Sequence, residues 1–205
     1  MLDFNMELIQ KGGVLMYPII FLSVLALAVF LERLVTLRTS RYVPALLKEK
    51  IKQALQNNDT KEAISMCEKD GSALANVCTD LLKNLDLPLQ RLMETVEESG
   101  RFQSNRLTRF LPTLQAIASI APLLGLLGTV LGMIKTFIVI GQQGVGNAQA
   151  LAGGISEALI TTAAGLSVAI PTVVFYYIVR FRSDRVMIEL ERAVSEIINQ
   201  IFKEA

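Results

Sequence analysis

Leu111-Pro-Thr-Leu-Gln-Ala-Ile-Ala-Ser-Ile-Ala-Pro-Leu-Leu-Gly-Leu-Leu-Gly-Thr-Val-Leu-Gly-Met-Ile134 runs 24 residues without a charge. At about 1.5 Å per residue, a helix of that length spans the roughly 30 Å hydrocarbon layer of a bilayer. Two further blocks share the property: Val14 to Leu31 is free of charge over 18 residues and Ala158 to Val179 over 22. The whole chain is 52% hydrophobic with a mean hydropathy of +0.45, yet 20 basic against 19 acidic residues leave a net charge of +1. A soluble domain of 205 residues is less apolar than this. The blocks predict an all-α integral membrane protein with three transmembrane helices extended into a cytoplasmic helical bundle. The expected spans are 14–34, 111–140 and 157–180.

The first block is not read as a secretory signal. Asp3 and Glu7 precede it with a single Lys11, the reverse of a basic leader, and no small-x-small cleavage site stands before Glu32-Arg33. Orientation follows from the arginines that flank the blocks. Arg33, Arg38 and Arg41 follow the first, Arg101, Arg106 and Arg109 precede the second, and Arg180, Arg182 and Arg185 follow the third. Basic residues beside a span stay in the cytoplasm, so all three clusters are expected there. The segment 1–13 and the charge-free connection 141–156 are then external. Residues 35–110 form a cytoplasmic helical domain, and 181–205 a cytoplasmic C-terminal helix.

The cytoplasmic segment carries apolar residues at helical spacing: Leu46, Leu47, Ile51 and Leu55, then Ala63, Ile64 and Cys67, then Leu74, Val77, Leu81, Leu82 and Leu85. Helix breaks are legible between them. Asn57-Asn58-Asp59 makes a turn with Asp59 as N-cap and Glu62 three residues on, Asp70-Gly71 closes a helix, and Asp86-Leu87-Pro88 opens another. From Pro88 the pattern continues through Leu92, Val96, Phe102, Leu107 and Phe110, with interruptions expected at Gly100 and Pro112. The tail repeats it with Val186, Leu190, Val194, Ile197, Ile198 and Ile201 on one side.

Several chemistries are excluded. The chain has no His and no Trp, and its two cysteines, Cys67 and Cys78, lack metal-site spacing, so no metal, no cofactor and no enzymatic activity are expected. Gly125, Gly128 and Gly132 sit inside an apolar run with no adjacent Lys-Ser or Lys-Thr, unlike a phosphate-cradling loop. They are read instead as a smooth face for close helix approach, with Ala121 a turn earlier. No nucleic-acid partner is expected. An intramembrane hydrolase fails because Ser167 has no His or Lys companion at helical spacing.

Glu157 is the one acidic residue between Thr113 and Val179, at the head of the third apolar block. A carboxylate at membrane depth is costly, which argues for an ion path or a charge partner, and Lys135 is the obvious partner. Glu157, Thr161, Gly165 and Thr172 fall near one face, with Thr162 and Ser167 on its flanks. Gly125, Thr129, Gly132 and Thr136 do likewise on the second block. Threonines in membrane helices often only bond the carbonyl one turn back, and a passive scaffold would need no more than that. Such a scaffold leaves Glu157 unused. No carboxylate stands at mid-span, so a proton path would need a second titratable group from a partner.

At these residues the sequence resembles the ExbB/TolQ/MotA family of ion-driven motor subunits. Ala121-Pro-Leu-Leu-Gly-Leu-Leu-Gly-Thr-Val-Leu-Gly132 is similar to the family's second-helix motif. Gly154-Ile-Ser-Glu-Ala-Leu-Ile-Thr-Thr-Ala-Ala-Gly-Leu166 with Ala169-Ile-Pro171 is similar to its third-helix motif. Three spans resemble the ExbB and TolQ branches more than MotA, and the compact length and Gly12-Gly13 start are more similar to ExbB, with a TolQ-like subunit of a Tol-Pal type system as the alternative. The resemblance implies a homopentamer in the bacterial inner membrane, N-terminus periplasmic and C-terminus cytoplasmic. It would surround an ExbD-type or TolR-type single-span partner and drive a TonB-type protein by proton-motive force. It also implies that Thr129 and Thr162 line the proton path, with Glu157 as its carboxylate, and that Pro122 and Pro171 shape their helices. The doublet Thr161-Thr162 offers two hydroxyls for one such position. Gly125, Gly128, Gly132 and Gly165 are expected to serve helix packing.

Overall fold

The structure is a computed structural model that describes residues 11–144 and 148–203. Among these, every regular element is a helix: α1 Met16–Thr36, α2 Thr39–Tyr42, α3 Ala45–Gln56, α4 Thr60–Asp70, α5 Ala73–Lys83, α6 Leu89–Thr108, α7 Leu111–Gln143 and α8 Ala148–Lys203. Three helical stretches are long and apolar enough to cross a membrane. The chain divides into two compact units, one holding the chain to Leu31 with Leu111–Tyr177, the other Glu32–Phe110 with the chain from Ile178 onward. The first is called the membrane unit here and the second the bundle unit.

Local sequence explains the bundle unit's helix ends. The Asp59 carboxylate accepts from the Glu62 N–H at 2.9 Å and caps α4. Gly71 ends it at φ +66, a left-handed turn that costs glycine little. The Ser72 hydroxyl then accepts from the Ala75 N–H at 3.2 Å to open α5. The core gathers Leu47, Ile51, Ala63, Leu74, Val77, Leu81 and Leu92 with Leu190, Val194 and Ile197 of α8. Two expected core residues point outward: Leu46 is 76% exposed and Phe102 63%. Their neighbours Leu47 and Gln103 take the inward positions, a one-residue rotation of helical phase. Cys67 and Cys78 are free and buried. Burial pushes the Cys67 thiol up to about 11 and the Cys78 thiol higher still, so both stay protonated and inert.

Some boundaries differ from the sequence reading. Gly100 does not interrupt α6, because it makes one position within a 20-residue helix whose backbone bonds continue through it. The break falls at Arg109–Phe110, and Pro112 sits in the first turn of α7, where a missing N–H leaves no bond unmade. The connection expected at 141–156 is mostly helix, since α7 runs to Gln143 and α8 begins at Ala148. Ala148-Gln-Ala-Leu-Ala152 carries good helix formers and no proline, so lack of charge there does not mean loop. Glu157 therefore stands more than two turns inside α8 rather than at its head. The C-terminal helix expected at 181–205 is likewise the continuation of α8. The external segment 1–13 lies outside the described residues except for positions 11–13.

Candidate functional site

In the membrane unit, α7 and α8 meet along a seam of small residues. A Cβ added to Gly165 would stand 2.5 Å from the Ala121 carbonyl oxygen, and one on Gly132 would stand 2.8 Å from that of Gly154. At Gly128 it would meet the Thr161 side chain at 2.5 Å. Only glycine permits this approach. Lipid gives apolar helices no reason to separate from tails, so van der Waals contact at short range and interhelical hydrogen bonds hold such a pair. One of those bonds is visible: the Thr162 hydroxyl donates to the Gly125 carbonyl at 2.9 Å. Pro122 and Pro171 both lie inside their helices, Pro122 half-buried and Pro171 exposed.

The polar residues fall on two sides of this seam. On one side Lys135 Nζ lies 2.5 Å from Glu157 Oε1, so the pairing expected from the sequence is present. The carboxylate packs over Gly13, whose φ of +69 a larger residue would adopt only with strain. The Thr161 hydroxyl, 1% exposed, lies 2.9 Å from the Gly12 carbonyl and 2.6 Å from that of Glu157. Its single proton can serve only one of them at a time. Gly12, Leu15, Leu131, Lys135, Glu157 and Thr161 line a cavity of about 200 Å³. About five turns further along α8 on this same side, Phe175 stacks on Phe30 of α1 with ring centroids 4.0 Å apart. The segment from Gly12 through α1 thus covers this flank.

Thr162 is turned about 140° round α8 from Glu157, and Thr129 about 120° round α7 from Lys135, which puts both on the opposite flank. The Thr129 hydroxyl donates to the Leu126 carbonyl at 2.6 Å within its own helix. Around these threonines Leu126, Leu159 and Leu166 are exposed. The structure therefore brings Glu157 and Thr161 together with Lys135, and places Thr129 and Thr162 apart from them. Thr136 and Thr172 are buried and bond the carbonyls one turn back, Gly132 at 3.0 Å and Val168 at 2.7 Å.

This pairing of a glycine seam with flanking threonines, in a three-span helical chain, agrees with a match to the family of MotA/TolQ/ExbB proton channels over residues 30–192. The chain belongs to this family. Among its relatives, ExbB-like protein 3 of Synechocystis sp. is 32% identical over 179 residues, covering 83% of this chain and 82% of its own. The biopolymer transport protein ExbB of Neisseria meningitidis serogroup A is 31% identical over 84% of this chain and 86% of its own length. The ExbB of Aquifex aeolicus reaches 47% identity, but over only 70 residues.

As an ExbB-family chain it holds two contacts that periodicity does not announce. The first is the Gly12 carbonyl beneath Thr161, for which the Gly12-Gly13 doublet is the only sequence signal. The second is Arg33, 6% exposed, whose guanidinium lies 4.2 Å from the centroid of the Phe110 ring. The Glu32 carboxylate stands 2.7 Å from Arg33 Nε but off its N–H direction, so it balances charge without a hydrogen bond. The face of the Phe110 ring thus gives this buried cation a second partner beside Glu32.

Proposed function

We propose that this protein is the ring-forming subunit of a motor driven by the proton-motive force. With an ExbD-type single-span partner it energises TonB-dependent transport across the outer membrane. The observation that carries the reading is the division of the α7–α8 seam. One flank is closed by α1 and a Lys135–Glu157 ion pair, and the other leaves Thr129 and Thr162 beside exposed apolar side chains. The open flank is the one that faces the ring's interior and the partner helices. There the hydroxyls guide water and protons toward the partner's titratable group. Thr161 belongs to the closed flank, where its hydroxyl ties α8 to the Gly12 backbone. Glu157 sets the charge at the outer mouth of the path, held in place by Lys135.

The energetics favour a cyclic device. One charge moving through 100 mV supplies about 2.3 kcal/mol, whereas opening a folded domain costs about 5–15 kcal/mol, so each mechanical event needs several protons. Names carried by the Neisseria and Aquifex relatives, both biopolymer transport proteins ExbB, support the ExbB assignment. The basic clusters beside the spans support an inner-membrane protein with its bundle unit in the cytoplasm.

Purification from native membranes in mild detergent, followed by mass spectrometry of what accompanies the chain, tests the reading. A single-span protein with an aspartate in its apolar helix is the expected companion, in substoichiometric amount to a ring of this chain. Recovery of the chain as a homo-oligomer alone, across several detergents, would contradict it.

A further inference from the structure

The bundle unit carries an open groove of about 460 Å³ between α6 and α8. Met93, Val96 and Gly100 form one wall and Leu190, Val194 and Ile198 the other, while Glu97 and Glu191 stand at the rim. Apolar walls left in water forgo the main driving force for packing, so such a groove marks a surface that something covers. Gly100 is a second sign of an occupant. It lies inside a 20-residue helix, where glycine is the poorest former after proline, yet a Cβ added there would meet nothing within 4 Å beyond its own helix backbone. This chain's own packing does not ask for glycine at that point, whereas a helix laid close against α6 would.

The same unit exposes a ridge of matching character. On α8, Phe181, Arg185, Ile188 and Arg192 follow one another at helical spacing, and Phe181 is 68% and Ile188 59% exposed. Ile188 comes about two turns beyond Arg180 and Arg182, whose charges end the apolar span, so water rather than lipid meets it. The charges of ridge and rim are complementary. Arg185 and Glu191 have no ion-pair partner among the described residues. Arg192 and Glu97 have only exposed contacts, to Glu189 at 3.8 Å and to Arg101 at 3.5 Å, which contribute little.

Helix register sets which residues meet. The Ser183 hydroxyl lies 3.4 Å from the Leu107 carbonyl, and α6 runs back from that point as α8 runs on. Gly100, seven residues before Leu107, therefore stands level with Leu190, seven after Ser183. Copies inserted with one orientation in a membrane run their α8 helices parallel, so residues of equal number share a height. Ile188 of a second copy then stands about 3 Å from the height of Gly100, and its Arg192 within about 2 Å of the height of Glu191. A chain cannot fill its own groove, because Ile188 is turned about 120° round α8 from Val194. We infer that a second copy of this chain is the occupant, its ridge 181–192 lying in the groove with Ile188 over Gly100 and Arg192 beside Glu191. The contact is head to tail, with a different surface on each side, and repeated contacts of that kind close into a ring. The inference rests on the ring-forming reading above and adds the surfaces that join neighbours.

The test uses the full chain in isolated membranes. Gly100→Cys and Ile188→Cys, singly and together, are treated with a short bis-maleimide that is quenched before denaturation. Cys67 and Cys78 are buried and protonated, so the parent should stay unlinked. The double variant should give a ladder of dimers, trimers and higher species, whereas a chain with one added thiol can join no more than two copies. Gly100→Leu fills the groove from within. It should raise the concentration for half-assembly about tenfold or more, read by native mass spectrometry in mild detergent, with the thermal midpoint of the unassembled chain kept or raised. An oligomer that gives no ladder from the double variant, or that Gly100→Leu leaves as strong as the parent, would overturn the inference and leave the ring reading standing. Dimers from Gly100→Cys alone would indicate a two-fold contact and overturn it as well. A parent chain that is monomeric throughout would overturn both.

Discussion

The two units of this chain are held together by opposite means. In the bundle unit, large apolar side chains from five helices interdigitate, and Leu74, Leu81 and Ile197 are wholly buried. Helix ends are capped by Asp59 and Ser72, and Glu196 receives both Lys48 and Lys52 at 2.9 and 2.5 Å. In the membrane unit the large side chains point outward, as Leu123, Phe137, Ile170 and Val174 do, while Gly125, Gly128, Gly132 and Gly165 face inward. Burial of apolar area drives assembly only where the alternative is water. Where the alternative is lipid, close backbone approach and threonine–carbonyl bonds take over. The contrast teaches that a given substitution should have reversed consequences in the two units.

The sharpest way to break that contrast is to enlarge a seam glycine. Gly165→Leu drives a side chain into the Ala121 carbonyl and the Gly125 backbone, atoms that cannot rotate away. The expected cost exceeds about 3 kcal/mol, seen as failure to accumulate a folded, protease-resistant chain in membranes. The control Leu159→Ala, on an exposed position, should fold normally. In the bundle unit the damage comes from the opposite change. Leu81→Ala leaves a cavity in a sealed core and should cost about 2–5 kcal/mol, measured as a lowered midpoint of chemical unfolding.

Smaller effects sharpen the comparison. Thr162→Val loses an interhelical bond and should cost roughly 0.6–1.7 kcal/mol, whereas Thr129→Val loses only a bond within its own helix and should cost less. Thermal unfolding of the two variants in detergent would separate them, and equal costs would remove Thr162 from the seam. Smallest is the Glu196 cluster. Hydrogen bonds from Lys52 and then Lys48 lower its carboxyl from the usual 4.5 to about 2. Because the folded value is the lower one, its stabilisation is full above pH 4.5 and fades as pH falls toward 2. Glu196→Gln should cost no more than about 1 kcal/mol near neutral pH, the pair being partly exposed, and should flatten the acid limb of the unfolding profile.

Much of this was legible in the sequence. The three charge-free blocks placed the membrane-crossing helices, and Asp59, Gly71 and Pro88 marked helix ends where the structure has them. The Lys135–Glu157 pair followed from each being the lone charge of its sign in a long apolar stretch. The helix from Ala148 escaped notice because small, uncharged residues give no amphipathic contrast, and amphipathic contrast is the signal periodicity reads. The phase error at Leu46 comes from the adjacent pair Leu46-Leu47, which leaves the buried face ambiguous, and at Phe102 the inward neighbour is the polar Gln103, which hydrophobic spacing passes over. The division of Thr129 and Thr162 from Glu157 and Thr161 was out of reach for another reason. Helical angles give relative directions along each helix, but which flank α1 covers is decided by a bond from Thr161 to the Gly12 backbone.

The proposed function requires that protons pass along the open flank of the seam. Thr129 and Thr162 are changed together to Val, the variant is reconstituted in proteoliposomes with the single-span partner that the proposed function calls for, and internal pH is followed under an imposed gradient. The expected outcome is an assembled oligomer with proton flux reduced to that of empty vesicles. An assembled ring with undiminished flux would contradict it.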